Sequence, residues 1–308
     1  MKKAFLFITI FVVLSLACDL SVAVTPPSGP APLPTNTMIV ATGVPTQIPA
    51  SPTTIPATAA PSATATLPQP SFEGVEVSVD PLSIVLSPGL ASGARGIQVP
   101  RAEGDNVSPW EVTPGHIQLK LEGYRLQEKF HEPQIYVYPA QAYAEMFPAA
   151  FESMHRLNNI MYDPAAPISD EQLPRVPFFN AAQVFTSNIQ VISFQNGRGV
   201  RFLTEYAQYS ASANNDDLFY HFQGLTSDGA YYVIAILPIT VPVLAETNDA
   251  GAVLPPGGIP YPYFANPDAD MQAYYTAVTN LLNATSPEAF NPTLGQLDLL
   301  IQSMKIIP

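Results

Sequence analysis

The sequence predicts an α+β domain over residues 73–308, an antiparallel sheet ending in a C-terminal four-stranded meander, with helices packed on one face. Three observations carry that expectation. Asn196-Gly197 and Ser227-Asp228-Gly229 each lie between runs of β-branched and aromatic residues, the signal of a hairpin turn. Apolar residues recur at helical spacing once before this region and twice after it. The composition also changes abruptly at Glu73, where charged residues reappear after a long charge-free stretch.

Taken in order, the domain opens with short strands at 74–79, 82–86 and 97–99, the last following the Gly-rich Ser92-Gly93-Ala94-Arg95-Gly96. Residues 117–121 alternate apolar and polar, as a half-buried strand does, and 135–138 form another strand after Pro133. A helical stripe follows: Tyr143, Phe147, Phe151, Met154, Leu157 and Met161. Pro148 falls inside it, so two helices or a kink are expected, with Pro148 in a first turn. Residues 189–194, 200–206, 218–225 and 231–237 make the meander. The run 231–237 is apolar on both faces and should be the most buried strand. A second helix is expected over 268–282, with Asp268 and Asp270 in its first turn, where the helix dipole favours anions. The third follows Asn291-Pro292 with the stripe Leu294, Leu297, Leu300 and Ile301, and Lys305 near its end.

The first 72 residues are of another kind. Met1-Lys2-Lys3 precedes an apolar run from Ala4 to Ala17, the pattern of a signal peptide. Fourteen helical residues span roughly 21 Å, short of the ~30 Å hydrocarbon core. Leu14-Ser15-Leu16-Ala17-Cys18 resembles the lipobox of bacterial lipoproteins, with Ser15 where the commonest pattern has Leu. The resemblance implies cleavage after Ala17, residues 1–17 being the signal peptide, and diacylglycerol on the Cys18 thiol. The alternative is an ordinary signal cut near Ser21-Val22-Ala23. Residues 24–72 hold 12 of the chain's 34 prolines, and no charge occurs between Asp19 and Glu73. Such a composition cannot form a packed core, so residues 18–72 are expected to be a lipidated Cys and an extended, disordered tether reaching at most about 150 Å. Thr, Ser and Pro enrichment also suits an O-glycosylated stalk.

Charge excludes one class of partner. The whole chain carries a formal charge of −13, and without Lys2, Lys3 and Asp19 the remaining 24 acids and 10 bases give −14, so no basic surface exists to bind nucleic acid. The single cysteine leaves no intramolecular disulfide framework and no Cys-rich zinc site. No Gly-x-Ser-x-Gly elbow, phosphate-binding loop, His-Glu-x-x-His or dinucleotide fingerprint occurs. His116 begins a strand, His131-Glu132 leads into one, and His155 lies on a solvent-facing helix position. His221 is either a hydrogen-bonded core histidine or a groove residue, with the core favoured. Asn214-Asn215-Asp216-Asp217 has the oxygen density of a calcium loop but not its pattern, and reads as a turn. No catalytic residue, metal ligand or cofactor site is therefore assigned.

The long Pro- and Gly-rich stretch 242–267 carries Tyr261, Tyr263 and Phe264. These rings either make a loop for peptide or glycan contact or fold back as a lid on the core. The order meander, long loop, two helices and a terminal Met304-Lys305-Ile306-Ile307 resembles the PsbP/Mog1-like fold over residues 183–308. That resemblance implies an α-β-α sandwich that binds partners and is not an enzyme. The functional expectation is an extracytoplasmic lipoprotein on the outer face of the bacterial cytoplasmic membrane or in the cell envelope. Its domain is expected to be non-catalytic, with a binding or envelope-structural role and an envelope peptide, glycan or protein as candidate partner. The alternatives are a hydrolase using dispersed His131, Glu132, Asp217 and His221, and a small-solute receptor with an apolar pocket lined by meander aromatics.

Overall fold

A computed structural model describes residues 71–262, 266 and 268–307. Cys18, Ala17 and the tether up to residue 70 lie outside the described residues, as do Tyr263 and Phe264. Among the described residues the strands run β1 (Val75–Val79), β2 (Leu82–Leu86), β3 (Gly93–Val99), β4 (His116–Glu122), β5 (Gln134–Pro139), β6 (Ala182–Phe194), β7 (Gly197–Ala207), β8 (Phe219–Thr226), β9 (Tyr231–Pro238) and β10 (Lys305–Ile306). The helices are α1 (Ala140–Met146), α2 (Pro148–Tyr162), α3 (Met271–Ala284) and α4 (Leu294–Ser303). The fold is α+β, with helices on an antiparallel sheet.

The sheet is wider than the meander alone. Strands β6 to β9 lie side by side as the two hairpin signals predict, but β9 also pairs with β5, giving the order β3-β4-β5-β9-β8-β7-β6. Strand β9 is thus interior, which is why it is apolar on both faces and buried along its length apart from Tyr231. A separate three-stranded sheet, β1-β2-β10, uses the chain's last described residues beside its first. Lys305 belongs to β10, not to a helix end.

Helices occupy both faces of the large sheet, where the sequence predicts one. Tyr232, Ile234 and Ile236 of β9 join the core made with α1 and α2, through Tyr143, Met154, Leu157 and Met161. Val233, Ala235 and Leu237 face the other way, towards Tyr274, Val278 and Leu282 of α3, Leu297 and Ile301 of α4, and Ile84 of β2. A strand apolar on both faces needs cover on both, and two helix pairs supply it. The helical break falls where Pro148 predicts, at the first position of α2. Phe151 leaves the expected stripe and is 58% exposed. Helix α3 starts later than expected, at Met271, because the Asp270 carboxylate caps it by accepting from Ala273 N at 3.2 Å. Helix α4 is capped by Thr293, whose hydroxyl accepts from Gln296 N at 3.2 Å.

One close approach needs glycine on both strands. Gly199 of β7 lies opposite Gly224 of β8, and a Cβ on Gly199 would sit 2.6 Å from the Phe222 ring and 2.1 Å from the Gln223 carbonyl oxygen. Antiparallel pairing then brings one end of six strands together. The β4–β5, β7–β8 and post-β9 connections and the approach to β6 all emerge beside Glu122, Gln134, Ala182, Ala207, Phe219 and Pro238.

Candidate functional site: an aromatic cavity at the loop end of the sheet

These connections enclose a cavity of about 490 Å³. The β4–β5 connection supplies Phe130 and His131, and the segment before β6 supplies Phe179. Strand β7 supplies Tyr206, one residue before its end, the β7–β8 connection brings Tyr209, Asp216 and Asp217, and the chain after β9 brings Asn248. Loops held by a rigid sheet are the usual place for recognition residues.

The rings form a continuous cluster. His131 lies 4.9 Å from Phe130, 5.5 Å from Phe179 and 4.4 Å from Phe219, and Phe179 lies 4.5 Å from Tyr206. Burial among these rings pushes the His131 imidazolium down to about 4, so the ring is neutral near pH 7. Its Nε2 is buried without a hydrogen-bond partner, and so is the Tyr206 hydroxyl. At the rim, Tyr209 is 63% and Phe130 68% exposed. Asn248 Nδ2 donates to the Tyr209 hydroxyl at 2.8 Å, and Phe130 N donates to the Asp216 carbonyl at 3.2 Å, fixing both rims.

The acidic side is built by a turn. Asn214 Oδ1 accepts from Asp216 N at 2.9 Å and Asp217 N at 3.1 Å, while Asn214 Nδ2 donates to Asp217 Oδ2 at 2.8 Å. Asn215 is turned inward and donates to Val241 and Leu244 carbonyls. The Asn-Asn-Asp-Asp cluster is therefore a turn whose amides are committed to the fold. Asp217 is half-buried, and desolvation raises its pKa.

A second cavity, of about 480 Å³, shares Phe179, Ala181 and Tyr206 with the first. It is more polar, with Asp170, Arg175, Gln183, Gln272 and Thr276 in its walls. The Arg175 charge acts on the Tyr206 hydroxyl from that side. The Thr186 hydroxyl donates to Asp170.

The residues singled out in the sequence divide three ways. His131 and Asp217 meet in the wall of the first cavity. His221 lies behind it in the core, 5.3 Å from Phe219, with Nε2 3.1 Å from the Val176 carbonyl; burial pushes it down to about 3. Nε2 also lies 3.3 Å from the Gln223 amide nitrogen, and Nδ1 is the atom left without a partner. Glu132 is exposed and paired with Lys120. His116 packs 4.3 Å from Tyr138, and exposed His155 meets Asn159. No histidine is hydrogen-bonded to a carboxylate or hydroxyl among the described residues, and no group of His, Cys, Asp and Glu there is placed to hold a metal ion. Tyr261 packs 5.2 Å from Tyr274 and donates to the Ser210 carbonyl.

Phe130, Phe179, Tyr206, Tyr209 and Asn248 are absent from the sequence-based candidates. Their one signal is aromatic residues in otherwise polar connections, as in Phe178-Phe179-Asn180 and Tyr206-Ala207-Gln208-Tyr209. No protein-family model matches the chain, and no curated protein or solved structure is significantly similar to it. No described helix is long and apolar enough to cross a membrane.

Proposed function

We propose that the protein is a lipid-anchored, extracytoplasmic ligand-binding domain, held off the outer face of a bacterial membrane by its Pro/Thr/Ala-rich tether. The small-solute receptor alternative is the form of binding favoured. One observation carries it: a cavity of about 490 Å³ in which Phe130, Phe179, Tyr206 and Tyr209, brought together from separate stretches of chain, line one space. That volume is within the roughly 300–1,000 Å³ usual for small-molecule sites. Binding rather than turnover is favoured because His221 is committed to the Val176 carbonyl and His131 is packed among rings. The anchor rests on Cys18 behind Ala17 and on the charge-free tether.

Aromatic NMR of the full-length protein in detergent, titrated with a library of small polar and aromatic compounds, tests the cavity. Shifts at Phe130, Tyr206 and Tyr209 are expected; a diverse library that moves none of them overturns the binding reading. For the anchor, Cys18→Ala should leave the membrane fraction and lose metabolic lipid label. A variant that stays with the membrane, and a wild type that takes no label, would overturn it.

A further inference from the structure

We infer that the ligand of the aromatic cavity is an organic cation, a substituted ammonium group carried on a small molecule. The inference rests on the binding reading above and specifies its chemistry. Four observations support it.

The first is the wall itself. Phe130, Phe179, Tyr206 and Tyr209 line the same space as Asp216 and Asp217. Ring faces carry partial negative charge, and a cation held against several of them gains more than against one, especially where water is excluded. Carboxylates at the rim add attraction without filling the aromatic interior.

The second is the lack of a competing cation among the lining residues. His131 is the one basic side chain there, and its burial keeps it uncharged at neutral pH. Lys129, its neighbour in sequence, is paired with Glu246 at 3.6 Å. Arg175 lies in the adjoining cavity, on the far side of Phe179 and Tyr206.

The third is the state of Asp217. Desolvation raises its pKa, and its contacts, Asn214 and Asn248, are neutral amides. A carboxylate desolvated without a positive partner is stabilised by any cation that enters beside it. The fourth acts at longer range: residues 73–308 carry 14 more acids than bases, a field that concentrates cations near the domain.

The test compares choline with 3,3-dimethylbutan-1-ol, its neutral isostere, by titration calorimetry and aromatic NMR on the full-length protein in detergent. Choline is expected to shift Phe130, Tyr206 and Tyr209 and to bind at least tenfold more tightly than the alcohol. It should also lower the pKa of Asp217, followed by its carboxyl carbon shift. Phe130→Ala, at an exposed rim position, should keep the melting temperature and weaken choline about tenfold. Asp216→Asn is the second variant, expected to weaken choline and leave the alcohol unchanged. Equal affinity for both compounds overturns the cation and leaves the cavity a binding site. The cation is also overturned, and binding retained, if neither compound binds while other library members move the same rings. If nothing in the library moves them, both readings fail together.

Discussion

Glu205 shows how far a single side chain can depart from its ordinary chemistry. It is a fully buried residue of β7, close enough to Tyr274 and Tyr275 of α3 to act on their hydroxyls, and Oε1 accepts from Asn214 N at 2.8 Å while Oε2 has no partner. Desolvation, with Asp217 nearby, raises its carboxyl well above the usual range. A raised folded pKa stabilises below the unfolded value of about 4.5, and that stability is lost as pH rises towards the folded value. Glu205→Gln should therefore raise the urea midpoint at pH 7, with the gain shrinking towards pH 4. An equal gain at both pH values would mean that protonation is not the cause. Glu205 was not among the sequence candidates, because a strand glutamate reads as solvent-facing unless the packing of α3 above it is known.

At the scale of elements, α4 is fastened to the sheet by a buried ion pair that no sequence spacing announces. Arg201 Nε lies 3.3 Å from Asp298 Oδ1, which also accepts from the Tyr220 hydroxyl at 2.8 Å. Arg201 Nη2 donates to Gln190 Oε1 at 2.7 Å, joining β6 to the same network. Removing one member of a buried pair costs about 3–5 kcal/mol, because the other is left charged in a poor solvent. Asp298→Ala should lose stability of that order in denaturant unfolding, and Asp298→Asn less, since it keeps an acceptor for Tyr220. The helices themselves were readable: their stripes are local, and Pro148 marks a break within one turn of chain. Their starts were not, because Asp270 and Thr293 are chosen as caps by geometry over other nearby polar residues.

For the molecule as a whole, the buried histidines set the acid limit. His221 and His131 are held down to about 3 and about 4, against an unfolded value near 6.5. A depressed folded pKa means that the unfolded chain takes up the proton first. Their stabilisation is thus present above pH 6.5 and lost as pH falls through the folded values. Each contributes a slope of up to about 1.4 kcal/mol per pH unit in that window. In the Glu205→Gln background, which removes an opposite slope, the urea midpoint should fall between pH 6.5 and 4. His221→Phe should flatten that fall while lowering stability at pH 7, where the bond to the Val176 carbonyl is lost. A His221→Phe variant whose midpoint follows pH in parallel with the wild type's would contradict the buried neutral imidazole, since Glu205 slopes the other way in both.

Local pattern was sufficient for the α+β class, both meander hairpins and the buried character of β9, because turn chemistry and side-chain period act over a few residues. It was not sufficient for the β5–β9 pairing, the closure of β10 onto β2, or the cover on both faces of the sheet. Those are contacts between segments up to about 220 residues apart, and burial and hydrogen bonding select among them only once the chain is folded. The cavity belongs to that second kind. Phe130, Phe179, Tyr206, Tyr209 and Asp217 come from three separate stretches of chain, and antiparallel pairing of the strands between them makes them neighbours.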